Sequence, residues 1–401
     1  MDRRSFVRGL AGGAALAAGP LLLPRAAVAT LPAGALAGEE AGVLAGKRPL
    51  IKRSFRPPNY ETPIGEYASL LTPNDRFFVR WHLPSIPELE PGAWRLSVGG
   101  EAAATPLELS LEDLKHGFER AEVVAVCQCA GNRRGLSDPH VAGVQWGYGA
   151  MGNARWAGVR LKDVLAKAGI AADAVEVAFD GADQGALEKT PDFIKSIPAW
   201  KAMDESALIA YEMNGEPLPH LNGAPARIVV PGWTATYWMK KVVSIRILRK
   251  PLEGFWMQKA YRIPKGRFPI VDRFTTQENA DTTPITEMVV NSLVTSHVDG
   301  QHVRAGAPTT VAGIAWDGGF GVRSVDVSVD GGRSWQAAEL ATDAGRFSFR
   351  PWSYTFTPTH GSAVLCARAS NGVGATQVEK LIFNGAGYHN NVIQRLALVA
   401  E

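Results

Sequence analysis

A β-branched run that stops at a cysteine constrains this chain more than any other stretch. Val123-Val124-Ala125-Val126-Cys127-Gln128-Cys129 predicts a buried strand, and Ala130-Gly131-Asn132 ends it abruptly. Cys129 therefore falls at a strand exit, where a side chain can face a cleft instead of the core. Arg133 and Arg134 follow within five residues. Positive charge nearby favours thiolate over thiol, and thiolate is the form that binds a metal or attacks an electrophile. A buried, inert cysteine beside a solvated arginine pair reads the same stretch equally well.

The N-terminus reads as a targeting segment and is set aside from the fold. Arg3-Arg4-Ser5-Phe6-Val7 opens a weakly hydrophobic Gly/Ala/Leu stretch that ends in Ala27-Val28-Ala29, a small-x-small cleavage pattern. Paired arginines there predict a twin-arginine export signal over residues 1–29, with an ordinary secretory signal as the alternative. That route carries proteins that fold before export, usually around a cofactor, which predicts a periplasmic protein. Of the 42 basic and 39 acidic residues, four and one lie in that segment, leaving 38 of each and no net charge. A nucleic-acid partner, which needs a sustained basic surface, is not expected. No other apolar run reaches the length of a membrane span, so none is expected after signal removal.

Three cysteines remain, Cys127, Cys129 and Cys366, an odd number that leaves at least one thiol unpaired. Cys127 and Cys129 point the same way on a strand but are too close for a relaxed disulfide. There is no Cys-x-x-Cys-His, so no covalently attached haem is expected in this chain.

Residues 30–70, rich in Pro and Gly, read as an extended N-terminal arm, followed by a first domain at 71–280. Within it Leu109 to Phe118 and Leu161 to Ala168 look helical, while Val175 to Phe179 and Arg227 to Val230 look like strands. The mixture predicts an α+β domain without a regular βαβ rhythm. Past a polar linker near Thr275–Pro284 the pattern changes. Ser324-Val325-Asp326-Val327-Ser328-Val329 alternates strictly, Asp330-Gly331-Gly332 is a hairpin signal, and similar runs recur at 308–316, 346–356 and 362–369. Residues 281–401 thus read as an all-β sandwich of immunoglobulin-like type.

Chemistry-bearing residues recur elsewhere in the first domain. Phe77-Phe78-Val79-Arg80-Trp81-His82 places a cation and an imidazole on one face of a strand-like run. Pro219-His220-Leu221-Asn222-Gly223 leads into the strand that opens with Arg227, and Lys240-Lys241 follows. Cations so placed can hold a phosphate or simply be solvated. Trp256-Met257-Gln258-Lys259-Ala260-Tyr261 sets a tyrosine after an aromatic turn.

Together these pieces resemble the sulfite oxidase family of molybdenum enzymes, and within it the exported bacterial sulfite dehydrogenases. The resemblance runs from about residue 50 to the C-terminus. It rests on Phe-Phe-Val-Arg-x-His at 77–82, Gln-Cys-Ala-Gly-Asn-Arg-Arg at 128–134 and Gly-Asn-Ala-Arg-Trp-Ala-Gly-Val-Arg-Leu at 152–161. Tyr-Glu-Met-Asn-Gly-Glu-Pro-Leu-Pro at 211–219 and Ser-Val-Asp-Gly-Gly-Arg-Ser-Trp at 328–335 complete it.

The resemblance implies that Cys129 binds molybdenum, that a molybdenum-pyranopterin cofactor is held in the first domain, and that sulfite is oxidised to sulfate. It assigns Arg80 and Arg134 to anion binding, and Tyr261 and Trp146 to the substrate pocket. His82, Arg155, Arg227 and Lys240 would hold the pterin and its phosphate, while Cys127 fills the core behind the ligand. It also implies a dimerisation role for residues 281–401 and hence a homodimer, with a complex containing a haem subunit as an alternative. A periplasmic c-type cytochrome would take the electrons one at a time. Two departures stand out: Asn222 where relatives often have a histidine, and no obvious arginine sent by the β domain toward the pocket. His389 in the tail would then supply a titratable charge, strengthening sulfite binding as it protonates. The competing reading keeps the fold and reverses the chemistry, as a molybdenum-dependent reductase of sulfoxides, including methionine sulfoxide.

Overall fold

The structure, a computed structural model, describes residues 41–266 and 281–401. The expected signal at 1–29, the start of the arm and most of the linker lie outside the described residues. Three sheets build the first domain. The first runs β1 (Ala41–Gly42), β2 (Leu50–Ser54), β3 (Asn59–Glu61) and β4 (Val79–Arg80) in that order. The stretch read as an arm is therefore extended from Ala41 on, but not free. Asn59 pairs with Arg80 across β3 and β4. Buried Glu61 accepts from Arg53 Nε at 2.5 Å and from the Gly149 N–H at 3.0 Å, which fastens this sheet to the loop behind the cysteine strand.

The second sheet has the order β10–β9–β14–β5–β6, with β5 (Leu96–Gly99), β6 (Leu107–Leu109), β9 (Glu176–Gly181), β10 (Lys195–Pro198) and β14 (Val242–Leu248). Only β14 and β5 in it run parallel. In the third, β12 (Glu216–Pro217), β11 (Leu208–Met213), β8 (Met151–Arg160) and β7 (Arg120–Gln128) lie side by side, and β13 (Arg227–Val229) also pairs with β11. The valine run is thus a strand, registered on β8 from Arg120↔Val159 to Gln128↔Met151. Helix α1 (Leu111–Gly117) begins two residues later than its pattern because Ser110 and Asp113 form a reciprocal capping box. Helix α2 (Leu161–Lys167) falls where expected.

A two-stranded ladder, β15 (Arg262–Pro264) with β16 (Thr282–Pro284), leads to the second domain, which is all β. One sheet there orders β17 (Asn291–Val294), β19 (Thr309–Trp316), β23 (Arg350–Phe356) and β22 (Glu339–Leu340). The other orders β18 (Gln301–Val303), β25 (Arg395–Ala400), β24 (Gly361–Asn371), β20 (Val322–Ser328) and β21 (Gln336–Ala337). Between them pack Val311, Val325, Val327, Trp352, Leu365 and Leu398, the inward half of each alternating strand. The turn at Asp330-Gly331-Gly332 joins β20 to β21 through a loop wider than a two-residue hairpin.

The two domains are joined at β7. Its Val126 N–H donates to the Phe347 carbonyl at 2.9 Å, and Trp316 Nε1 donates to Gln128 Oε1 at 2.7 Å. The second domain thereby covers an edge strand that would otherwise stand open. No helix among the described residues is long and apolar enough to cross a membrane.

Candidate active site

Strand β7 delivers two thiols to one cavity. Alternation puts Cys127 and Cys129 on the same face, and both line a partly open pocket that Arg80, His82, Arg227, Lys240 and Tyr261 also line. Sequence reasoning put Cys127 in the core behind the ligand. It is buried, yet it reaches the cavity wall with Arg227 Nη2 at 3.8 Å, and burial pushes its thiol pKa up. All three cysteines are free.

At one end of the cavity three side chains meet on a single hydroxyl. Arg80 donates from Nη1 to Asn59 Oδ1 at 3.1 Å and to the Trp81 carbonyl, while its Nη2 stands 3.5 Å from the Tyr261 hydroxyl. Burial opposes the Arg80 charge, but the Tyr261 hydroxyl and the Cys129 thiol together raise its pKa above the ordinary value. His82 hydrogen-bonds the same hydroxyl through Nε2, and its ring stacks on Phe193 with centroids 3.6 Å apart. Burial, then Arg80 and Lys240, hold His82 well below the usual imidazole range, so it is neutral at neutral pH. Tyr261 itself has φ +58°, a left-handed conformation that costs a tyrosine about 1–2 kcal/mol. Arg133 and His389, also at this junction, share that conformation. Strain of this kind collects at functional sites.

The other end is cationic. Arg227, on β13, donates to the carbonyls of Asn222 at 2.9 Å and Trp238 at 3.1 Å, and its guanidinium lies 4.9 Å from the Trp156 ring centroid. Its buried Nε has no partner. Lys240 stands 4.5 Å over the Trp81 ring and makes no hydrogen bond or ion pair with a described residue. Burial, then Arg227, lower its pKa to about 8. No aspartate or glutamate lines the cavity.

This donor set fits a molybdenum-pterin. A pocket with Arg80, Arg227 and Lys240 on its wall, no carboxylate lining it and only Asp183 acting on Lys240 from behind is short of negative charge, which an anionic phosphate-bearing group would supply. A thiol on the pocket wall is a soft ligand suited to a heavy metal. Among the described residues no group of three or more His, Cys, Asp or Glu could hold a bare ion, so the remaining ligands would come from an organic group. Arg227 and Lys240 would hold the phosphate end and Cys129 the metal.

Four residues expected at the site lie off the wall of this pocket. Arg155 does not reach the cavity: it lies on the outer face of β8, half exposed and 3.7 Å from Glu122. Its neighbour Trp156 takes the inner face, and strand alternation turns Arg155 away. Trp146 is fully buried in the core, its indole N–H without a partner, and is not on the cavity wall. Arg134 sits one layer out, its Nε donating to the Ala386 carbonyl at 2.8 Å and its Nη1 to the Val144 carbonyl at 3.2 Å. His389 lines a separate space between the domains, and burial lowers its pKa to about 4, so it adds no titrating charge near neutral pH.

Other residues have no local signal in the sequence. Asn222 lines the cavity and accepts from Lys47 Nζ at 2.5 Å, a contact spanning 175 residues. Tyr388, from the second domain, stacks on Tyr261 with centroids 5.6 Å apart. Only long-range packing brings either one here.

Two family models match the chain. The oxidoreductase molybdopterin binding domain covers residues 82–256 and the Mo-co oxidoreductase dimerisation domain covers 282–401. Mitochondrial sulfite oxidase of Homo sapiens is 40% identical over 320 residues, which is 76% of this chain and 57% of that protein. The chain thus spans little more than half the length of that relative. Sulfite oxidase of Arabidopsis thaliana is 32% identical over 315 residues, 75% of this chain and 78% of its own length. The sulfane dehydrogenase SoxCD from Paracoccus pantotrophus superposes with a TM-score of 0.73 at 26% identity, over 98% of this chain and 96% of that one. With a cysteine-based, acid-free cationic cavity in its first domain and an all-β second domain, the chain belongs to the sulfite oxidase family of molybdenum enzymes.

Proposed function

We propose that this protein oxidises sulfite to sulfate at a molybdenum-pterin centre ligated by Cys129. The observation that carries the reading is the meeting of Arg80, His82 and Tyr261 around one hydroxyl beside Cys129. When bound, the molybdenum-pterin supplies the two-electron oxidation, with water as the source of the added oxygen. The chain's own residues do the rest. Arg80 offers a fixed charge and a planar fork to an oxyanion without donating electrons to it. With its proton on Nε2, neutral His82 donates to the Tyr261 hydroxyl as Arg80 does, which leaves the phenol proton free for a substrate oxygen. Phe193 and Trp256 pack around His82 and keep water from the hydrogen bond. Arg134 adds longer-range positive charge.

The chain reads as a periplasmic enzyme exported folded by the twin-arginine route, on the strength of its first 29 residues. Its electrons would pass singly to an external c-type cytochrome, since the chain has no haem-attachment motif. The second domain reads as an immunoglobulin-like sandwich that pairs two copies into a homodimer, a reading its dimerisation-domain match supports.

A second reading is favoured by the match to a sulfane dehydrogenase over 98% of the chain. In it the substrate is sulfane sulfur, and the same residues would serve. One assay separates the readings: reduction of ferricytochrome c by the molybdenum-loaded protein, with sulfite against thiosulfate, and Cys129→Ser as control. Sulfite-dependent turnover that vanishes in the control supports the proposal. Turnover only with the sulfane donor selects the second reading. Neither, despite bound molybdenum, moves the assignment to sulfoxide reduction.

A further inference from the structure

Tyr388 belongs to the second domain but stands in the first domain's site. Its ring lies 8° from parallel to that of Tyr261, and the Arg134 guanidinium is 5.4 Å from its centroid. It is 5% exposed. The loop that carries it is built to put it there. Asn384 accepts from the Tyr388 N–H at 3.0 Å and donates to the Tyr388 carbonyl at 2.7 Å. Gly387 adopts φ +61°, and a Cβ on it would stand 2.8 Å from Arg134 Cγ, so only glycine lets the loop approach this closely. Asn390 Nδ2 donates to the Arg133 carbonyl at 3.1 Å, and Arg133 Nη1 donates back to the Val392 carbonyl at 2.9 Å.

All this placement holds a hydroxyl that makes no hydrogen bond with any described residue. The groups whose charge this one feels are Tyr261, Arg134, Cys129 and Arg80, the substrate end of the site. The donor makes no hydrogen bond within the described chain, and its ring lies against Tyr261, which lines the cavity.

We propose that Tyr388 is a substrate-binding residue supplied by the second domain: its hydroxyl donates to an oxygen of the sulfur oxyanion, and its ring fixes Tyr261 beneath Arg134. This rests on the oxyanion substrate proposed above. Among the described residues no arginine of the second domain lines the pocket, and a neutral phenol would take the place of a third cation. It also makes the second domain part of the active site, and not only an assembly module.

The test compares the molybdenum-loaded wild type with Tyr388→Phe and Tyr388→Ala. Sulfite KM and kcat are measured, together with the dissociation constant of sulfate by calorimetry, which needs no turnover. One lost hydrogen bond to a charged group predicts that Tyr388→Phe raises both the sulfite KM and the sulfate dissociation constant about tenfold. In that variant kcat stays within about threefold and molybdenum content is unchanged, whereas Tyr388→Ala, losing the ring, also lowers kcat. Values within twofold of wild type in Tyr388→Phe would overturn the proposal, whatever the alanine variant does. If wild type binds sulfate but does not oxidise sulfite, the activity assignment fails and calorimetry alone decides Tyr388. A wild type that binds neither oxyanion overturns the Tyr388 proposal as well.

Discussion

The two domains treat buried charge in opposite ways. The first buries Lys47, Arg133, Lys195, Lys201, Arg227 and Lys241; among its described residues the second buries no lysine or arginine. Its buried polar side chains are neutral apart from Asp317, and most are hydrogen-bonded within the domain, although Asp317 Oδ2 and the buried indole N–H of Trp352 have no partner. Gln377 Oε1, for example, accepts from Ser292 Oγ at 2.6 Å and from the Ala369 N–H at 2.9 Å. Enclosing a cation costs free energy unless a partner offsets it. Half-buried Lys240 makes no ion pair with a described residue, with Asp183 only acting on it at longer range, and Arg227 leans on carbonyls and a neutral thiol. The difference teaches where the ligand belongs: one domain is a finished core, the other is complete only with an anion inside it.

The finished core should show the largest response to truncation. Trp352 fills the space between the sheets of the second domain and lies so close to Gly313 that a Cβ there would be 2.4 Å from its ring. Trp352→Ala should cost about 3–5 kcal/mol, read as a shift in denaturation midpoint at constant slope. A loss below about 1 kcal/mol would mean that this core is looser than the comparison requires.

Lys240 tests the unfinished side, and there the sign changes with the cofactor. Lys240→Met should weaken retention of the molybdenum-pterin by about thirtyfold or more, equivalent to about 2 kcal/mol, measured as metal content after dialysis. The cofactor-free variant should be at least as stable as cofactor-free wild type, because it no longer encloses an unpaired ammonium. A less stable apo variant would break the comparison.

Lys195 gives the same idea a pH dependence. It is fully buried, donates to the Trp256 carbonyl at 2.6 Å and stands 5.2 Å from the Tyr261 ring. Burial, then Arg262, lower its pKa from 10.5 to about 7. Above about pH 7 the unfolded chain therefore holds a proton that the folded one has lost, so stability rises with pH, by up to about 1.4 kcal/mol per unit. Buried Cys127, with its pKa raised, acts in the opposite direction once ordinary thiols ionise, so the window is from pH 7 to about 8.5. In the cofactor-free protein, Lys195→Met should flatten part of this slope. A slope unchanged by the substitution would show that Lys195 is not the group responsible.

Much of this was legible in the sequence where the information was local. The valine run and its stop placed Cys129 at a strand exit, and Arg80 and His82 two apart on an extended run do face one cavity. Alternation in Ser324–Val329 located the core-facing half of β20. What was not legible came from partners far apart in the chain. Arg134 is turned by the Ala386 carbonyl 252 residues away, and Lys47 is held by Asn222 from 175 residues away. No window of sequence contains both members of such a pair. The pairing of the arm was not legible because Pro and Gly mark irregular backbone, while its pairing to β4 is set by a strand some twenty residues on.

Arg155 is the smallest and sharpest case, because a motif pointed to it and the strand turned it away. It lies within a conspicuous run, yet on β8 it takes the face opposite Trp156 and pairs loosely with Glu122, both side chains about half exposed. An exposed pair 3.7 Å apart is worth little, since solvent screens it and two long side chains must be held still. Arg155→Ala should therefore change stability by no more than about 0.5 kcal/mol and leave molybdenum content and sulfite KM at wild-type values. Loss of more than half the bound molybdenum in that variant would return Arg155 to the cofactor site. It would also mean that β8 presents its other face once the pterin is in place.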